Sequence, residues 1–276
     1  MDLTWTDAER AFRDEARAWL TEHLAAWRDA HGGEDNIASG DTRAGFAQHL
    51  DWERDLYAGR WAAVSWPEQL GGRGASLWEW LIFEEEYYRA GCPPRITQNG
   101  IFLLAPTVFE FGTAAQQAHI LPRMAAAEDL WCQGWSVAMA TTGSERGLTL
   151  RAPGRFLATA GRLIELYRRD PVPRLRERLV EAWMRAEAYR LFTLDTVTRL
   201  AGGASMGADS SINKLWWSEL DVELHEIALD LLGPGSEVEG PWSKGWQFSL
   251  AGPIYAGTNE IQRNIAAERM LGLPRM

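Results

Sequence analysis

A succession of amphipathic helical segments, separated by glycine and proline, constrains the fold of this chain more than any other sequence feature. Within each segment the apolar residues recur three and four positions apart, the period of one face of an α-helix. The first segment follows the capping box Thr6-Asp7-Ala8-Glu9 and ends at Gly32-Gly33. Apart from residues 137–142, no segment alternates as a half-buried strand does. We therefore predict an all-α protein.

Four more helices are predicted in the N-terminal half. They cover residues 41–57, 76–89, 97–111 and a segment that starts at the capping box of Thr113 and Gln116 and ends near Pro122. Residues 59–74 are rich in glycine and are predicted to form a surface turn, since glycine and proline interrupt helices and strands. The triplet Glu84-Glu85-Glu86 is predicted to be a solvated helix face.

Four long helices are predicted in the C-terminal half, and short connections between them favour an antiparallel four-helix bundle. The first covers residues 145–169, with Pro153-Gly154 as a weak point near its start, and the second covers 170–200. The third opens at Asp209 and ends at Gly233-Pro234-Gly235, and the fourth follows Thr258.

Composition excludes several classes of function. A net charge of -10 argues against nucleic acid as a partner, because phosphate binding needs a basic field. No apolar run is long enough to cross a membrane, and the acidic start is not a signal peptide. The two cysteines, Cys92 and Cys132, form no metal-binding pair, and no Glu-x-x-His occurs. We expect a soluble cytoplasmic protein without a metal site.

The stretch at residues 255–272 carries the most specific local signals. Gly257 gives the backbone freedom to turn, and Thr258 is a good N-cap. An apolar stripe at helical spacing follows, made of Ile261, Ile265, Met270 and Leu271. Backbone N–H groups at such a helix start suit an anionic ligand. A plain capped helix without a ligand is the alternative on these grounds.

Three motifs resemble those of flavin-dependent acyl-CoA dehydrogenases. They are Y-x-G-T-N-E-I-Q-R at 255–263, W-P-E-x-x-G-G-x-G at 66–74, and G-T-x-x-Q at 112–116 followed by L-P and E-x-x-x-C. The resemblance implies a helical N-terminal domain at residues 1–136 and the family's C-terminal four-helix bundle at residues 137–276.

One domain of that family has no counterpart in this sequence. In the family, a segment like the one ending at Ser136 runs into E-P-x-A-G-S-D and then a β-sandwich domain. Here Ser136 is followed at once by residues that resemble the exit from that domain, and Gly134-Trp135 fits both flanks. We infer that the β domain has been removed at this short shared sequence.

The resemblance implies FAD-dependent α,β-dehydrogenation of an acyl-CoA thioester. The family's usual catalytic Glu follows the Tyr of the last motif, but Ala256 stands here and cannot accept a proton. Glu145 falls at an alternative position that some members use, so we assign it as the catalytic base. On sequence physics alone, Glu145 is an ordinary first-turn carboxylate favoured by the helix dipole.

The family's flavin contacts map onto Ser136, Gly257, Thr258 and Glu260. The implied partners are the acyl-CoA substrate, an electron-transfer flavoprotein as electron acceptor, and either a second copy or a related dehydrogenase subunit. Since one wall of the flavin site is missing, we expect FAD to be weakly bound or absent in this chain alone. The alternative function is a non-catalytic helical subunit, or a deletion product, that assembles with a partner.

Overall fold

The computed structural model describes residues 4–40, 42–131, 152–204 and 207–274. The chain divides into two compact units, Asp2–Leu148 and Thr149–Met276. Every regular element in the described residues is helical, which confirms the all-α prediction. None of these helices is both long and apolar enough to cross a membrane. The predicted domain boundary after Ser136 lies outside the described residues and stays a prediction.

The structure describes five α-helices in the N-terminal unit, within residues 4–131. They are α1 (Asp7–Ala30), α2 (Arg43–Ala58), α3 (Leu77–Arg89), α4 (Ala105–Phe111) and α5 (Ala114–Ala125), with a π-helical segment (Asn99–Leu104) before α4. Reciprocal capping boxes start α1, α3 and α5, as the sequence predicts for α1 and α5. In each box, the side chain of the N-cap residue accepts a hydrogen bond from the backbone amide of the third helical residue. The side chain of that third residue accepts a hydrogen bond from the backbone amide of the N-cap residue.

Two predictions for this unit are wrong because of buried apolar side chains. Helix α5 continues through Pro122 to Ala125, since Leu121 and Met124 are buried and hold the last turn in place. The segment at 59–74 is not a surface turn: Trp61 and Trp66 are 1% and 7% exposed and belong to the core. Its glycines and its single 3₁₀ turn (Glu68–Leu70) bend the chain around these rings.

The acidic triplet on α3 is also buried, so the prediction of a solvated face is wrong. Glu86 accepts two hydrogen bonds from Arg17 of α1, at 3.0 Å from Nε and 2.9 Å from Nη2. Burial raises the pKa of Glu84 to about 7, against the opposing effect of Arg95. Because other residues pack on several sides of α3, charged residues of this helix are buried. The residue pattern of one helix does not show how many of its sides are covered.

The most deeply buried ion pair joins α2 to the segment that follows α3. The Arg95 Nε atom lies 2.8 Å from Oε2 of Glu53, and the two side chains are 5% and 1% exposed. Glu53 Oε1 also accepts from the backbone amides of Ile96 and Thr97, at 2.8 and 3.2 Å, while Arg95 Nη2 donates to the Ala62 carbonyl at 2.8 Å. This pair therefore fixes three backbone segments at once.

Five α-helices are also described in the C-terminal unit, within residues 152–204 and 207–274. They are α6 (Pro153–Arg169), α7 (Arg176–Ala201), α8 (Asp209–Leu232), α9 (Pro241–Ser249) and α10 (Asn259–Arg269). Helices α6, α7 and α8 pack against one another, and α9 and α10 pack on α8. The core includes Phe156, Leu179, Trp217, Leu220 and Leu224. The predicted bundle is confirmed, and α9 is an added helix that the sequence analysis missed.

Two predicted helix starts in this unit are wrong. Helix α6 begins at Pro153, after Ala152 in an extended conformation with ψ of 117°, because proline disfavours a helical residue before it. Helix α7 begins at Arg176, after a 3₁₀ turn at Pro173–Leu175. Glu145 falls outside the described residues, so its predicted place and role stay predictions.

Replacing Arg95 by methionine is expected to lower the free energy of unfolding by about 3–5 kcal/mol, because Glu53 would keep a buried charge without its counter-ion. Urea denaturation followed by tryptophan fluorescence measures this change. The matched control is Arg54→Met, which removes a 60% exposed side chain paired with Asp51 at 3.4 Å and should cost less than about 1 kcal/mol. Equal losses in the two variants would contradict the prediction.

Candidate functional site

Three of the five predicted site residues meet at the N-terminus of α10. Gly257 and Thr258 form the turn and cap before the helix, and Glu260 lies in its first turn. Ser136 and Glu145 lie outside the described residues, so their assigned roles stay predictions.

The turn before α10 has an unusual backbone. Ala256 and Gly257 both adopt positive φ, at 56° and 85°, a conformation that residues with a Cβ rarely take. The Gln262 side chain reaches back across this turn and donates from Nε2 to the carbonyls of Ala256 and Gly257, at 3.0 and 3.4 Å. A Cβ on Gly257 would lie 2.6 Å from that nitrogen. Gly257 is thus required both for its φ and for the space that Gln262 occupies.

The helix start presents hydrogen-bond donors. The Thr258 side chain accepts from the Ile261 amide at 3.4 Å, and the Asn259 amide donates to the Pro253 carbonyl at 2.9 Å. Among the residues that the structure describes, the amides of Gly257 and Thr258 have no acceptor. These two N–H groups, at the positive end of the helix dipole, are available to an anion or a hydroxyl group.

Polar side chains, rather than the predicted apolar stripe, attach α10 to α8. Asn259 is 3% exposed, and its Oδ1 atom accepts from Lys214 Nζ at 2.6 Å and from Ser218 Oγ at 3.1 Å. Its Nδ2 atom donates to Glu219 Oε1 at 3.2 Å. The stripe instead faces outward, with Ile261 48%, Met270 46% and Leu271 72% exposed. Ile265, the fourth residue of the stripe, is half-buried.

Charge around the helix start is mixed. The pKa of Glu260 lies below its ordinary value, because its carboxylate accepts from its own amide and from Thr258, with help from Arg263 and Lys214. Arg263 pairs with Glu219. Burial lowers the pKa of Lys214 to about 8, against the attraction of Glu260 and Glu219.

The sequence analysis missed Lys214, Ser218, Asn259 and Gln262 as parts of this site. One signal was available for Lys214: of the 28 basic residues in the chain only Lys214 and Lys244 are lysine. For Asn259 and Gln262 the three-residue spacing puts both on one helix face, but nothing in the sequence says that this face is buried.

The described residues fit the polar part of a dinucleotide such as FAD. Two free backbone donors at a helix start suit a phosphate oxygen, and the exposed Glu260 carboxylate can accept from a ribose hydroxyl group. A wall for an aromatic ring is not part of this end of the site, which is built from α8 and α10 alone.

Comparisons with known proteins agree with the sequence motifs. Residues 132–271 match the family described as acyl-CoA dehydrogenase, C-terminal domain, and residues 6–128 match acyl-CoA dehydrogenase, N-terminal domain. Acyl-CoA dehydrogenase IpdE1 from Mycobacterium tuberculosis is 28% identical over 380 aligned positions, covering 96% of this chain and 97% of the relative.

Two solved structures share the fold. The Tcur3481-Tcur3483 steroid ACAD superimposes with a TM-score of 0.75 at 16% identity, and the coverage is 100% of both chains. The ChsE4-ChsE5 complex from Mycobacterium tuberculosis gives a TM-score of 0.72 at 17% identity, again covering 100% of both chains.

The alignment with IpdE1 also bears on the missing domain. It has 380 positions, whereas this chain has 276 residues, so at least 104 positions (the difference between the two numbers) are gaps in this chain. The number of gap positions is similar to the number of residues in an ordinary small domain. It agrees with a chain that keeps both helical domains and has no sheet domain.

Gly257→Ala is expected to destabilise the protein by about 1 kcal/mol more than Gly272→Ala. Both positions have positive φ, at 85° and 66°, so both variants carry the backbone strain of a left-handed residue. At Gly272 no atom lies within 4 Å of the new Cβ, whereas at Gly257 the Cβ displaces Gln262 from its hydrogen bonds. Urea midpoints of the two variants provide the test, and a smaller loss for Gly257→Ala would contradict the assigned packing.

Proposed function

Because the chain belongs to the acyl-CoA dehydrogenase family, we propose that it is part of an FAD-dependent enzyme that dehydrogenates an acyl-CoA thioester between its α and β carbons. The observation that carries this proposal is the α10 start, where Gly257 and Thr258 offer free amides above a buried polar support. Members of this family of oxidoreductases generally bind FAD.

Each described site residue has a binding role in this proposal. The amides of Gly257 and Thr258 hold the phosphate side of the dinucleotide, and Glu260 accepts from a ribose hydroxyl group. Gln262 and Asn259 keep the turn and the helix start in place. When bound, the flavin supplies acceptance of the β hydrogen as hydride, and the protein supplies orientation.

The proton at the α carbon needs a base of its own. Ala256 has no titratable group, so the last helix does not supply the base. We assign the base to Glu145, on the resemblance to family members that carry the carboxylate at this alternative position. Such members act on branched or bulky acyl groups, and a neighbour of the same fold is titled a steroid ACAD, so we propose a bulky acyl chain.

The missing sheet domain makes a partner chain necessary for activity. A flavin ring held at α10 alone has one face open to solvent. Because the affinity of a small molecule comes from its buried surface, the ring would be held weakly there. We propose that a related subunit closes the site, as in a hetero-oligomer, and that an electron-transfer flavoprotein accepts the electrons. The exposed apolar residues of α10 offer surface for such an assembly.

A non-catalytic helical subunit is the second candidate function. Two observations favour it: Ala256 replaces the family's usual base, and no sheet domain is present in the described part of the chain. Under this reading the chain supports a partner that carries a complete site. Turnover that depends on Glu145 separates the two functions.

The chain purified alone is expected to be colourless, or to lose flavin on dilution, because the site lacks one wall. Visible absorbance after gel filtration with added FAD tests this. Adding the partner subunit should restore a stoichiometric flavin band. A tightly bound band in the chain alone would show that it needs no partner to hold the cofactor.

Glu145→Gln, in the assembled enzyme, is expected to lower turnover by about 10²–10⁴-fold, since glutamine cannot accept the α proton. Binding of acyl-CoA should survive because the shape is kept. Glu128→Gln is the control, since this exposed carboxylate pairs with Arg123 at 3.2 Å and has no assigned chemistry. Unchanged turnover in Glu145→Gln would favour the non-catalytic subunit or a base on the partner.

A further inference from the structure

Lys214 is the feature of the C-terminal unit that the proposed function does not yet use. Its side chain is 1% exposed, and its ammonium group has one hydrogen-bond acceptor, Asn259 Oδ1 at 2.6 Å. Within the described part of the chain, no carboxylate lies within 4.0 Å of the ammonium nitrogen. An ammonium group can make three hydrogen bonds, and a buried charge without a counter-ion is costly.

The groups that face Lys214 are already engaged elsewhere. Glu219, on the same helix, pairs with Arg263 and accepts from Asn259 Nδ2. On α10, Glu260 accepts from its own amide and from Thr258, and Arg263 brings a further positive charge. The charge of Lys214 is therefore only partly balanced, and it lies directly behind the first residue of α10.

The choice of lysine at this position is itself informative. The chain uses arginine for all but two of its 28 basic residues, and the second lysine, Lys244, is a surface residue near Glu239. Arginine has a wide planar group that is always charged, whereas lysine is a compact point charge on a flexible stem. An ammonium group takes less space behind a helix end than a guanidinium group does.

We propose that Lys214 is a positioning residue for the anion-binding end of α10, and that it acts by fixing Asn259 and by placing a positive charge behind the free amides of Gly257 and Thr258. The ligand class is a diphosphate, as in the dinucleotide of the proposed function, on which this inference rests. The negative charge of the bound phosphates balances the positive charge of Lys214, which the surrounding residues balance only in part.

A purely structural role predicts different behaviour. If Lys214 only linked α8 to α10, Ser218 could replace it, since Ser218 Oγ also donates to Asn259 Oδ1, at 3.1 Å. Removing the ammonium charge would then leave anion binding unchanged. Two substitutions therefore separate the two effects at Asn259 Oδ1. Removing the Ser218 hydroxyl group tests the hydrogen-bond geometry, and removing the Lys214 charge tests the electrostatic effect.

Protein stability and anion affinity are expected to change with pH in opposite directions. Burial lowers the pKa of Lys214 to about 8 from an ordinary value of 10.5, so the unfolded chain binds the proton more tightly. The cost of burying the charge is therefore full below pH 8 and relaxes as pH rises from 8 to 10.5, which raises stability. Anion affinity should instead fall as pH rises through 8, because the charge is lost.

The experiment measures binding of inorganic pyrophosphate and of FAD to the full chain, in the wild type and in Lys214→Met, Ser218→Ala and Lys244→Met. Methionine keeps the length of the lysine stem and leaves Asn259 bonded to Ser218, so the fold should survive. We expect Lys214→Met to weaken both ligands about tenfold, equivalent to about 1.4 kcal/mol. Ser218→Ala removes one hydrogen bond to Asn259 but no charge and should weaken them less, whereas Lys244→Met, outside the site, should bind as the wild type does.

A spectroscopic readout follows the charge directly. In protein labelled with ¹⁵N-lysine, the side chains give two signals, from Lys214 and Lys244. Pyrophosphate should raise the pKa of Lys214 and leave Lys244 unchanged, which a structural link alone would not do. The Lys214→Met variant, measured over the same pH range, corrects for titration of pyrophosphate itself.

The outcomes separate this inference from the proposed function. Binding of pyrophosphate that depends on Lys214, without a flavin band even when the partner subunit is present, would support the role of Lys214 and count against the FAD-dependent function. Equal binding of both ligands by the wild type and Lys214→Met would overturn the role of Lys214 and leave the function standing. No binding of pyrophosphate by the wild type would overturn the role of Lys214, and the flavin band of the chain with its partner subunit tests the FAD-dependent function separately.

Discussion

The arrangement of the C-terminal unit depends on one constraint: several polar side chains buried on α8 have their hydrogen-bond partners on other helices. An unsatisfied buried polar group costs about 1–3 kcal/mol, so these partners restrict how the helices pack. Tyr189 of α7 donates its hydroxyl hydrogen to Asn213 Oδ1 at 2.7 Å. Arg155 of α6 donates to Asp221 Oδ2 at 2.8 Å. Apolar contacts do not require one particular alignment of α6 and α7 along α8, whereas these two polar pairs do.

The two shorter helices pack on α8 through different contacts. Helix α9 lies over His225, and a Cβ on Gly245 would come within 2.3 Å of the imidazole Nε2 atom. Helix α10 is tied through Asn259 to Lys214, while its apolar residues remain exposed. The candidate site thus depends on polar contacts at Asn259 together with apolar packing of Tyr255 against Trp217 in the turn before α10.

The sequence predicts those features that a local signal encodes. The capping boxes at Thr6 and Thr113 and the cap at Thr258 set helix starts within a few residues, and the turn at Gly257 follows from its type. Features that depend on distant contacts were missed. Lys214 and Asn259 are 45 positions apart, and no periodicity joins them. The acidic triplet on α3 was placed in solvent because helical spacing gives no information on how many sides of a helix are covered.

The distribution of helix caps has a consequence for how the chain is made. Reciprocal capping boxes start three helices of the N-terminal unit, whereas α6, α7 and α8 begin without any side-chain cap. A capped start lowers the cost of the first helical turn and needs no distant contact. Chains are synthesised from the N-terminus and domains fold as units. On the ribosome, the first unit can therefore gain its helices from local sequence, while the second must wait until α8 has emerged to satisfy its neighbours.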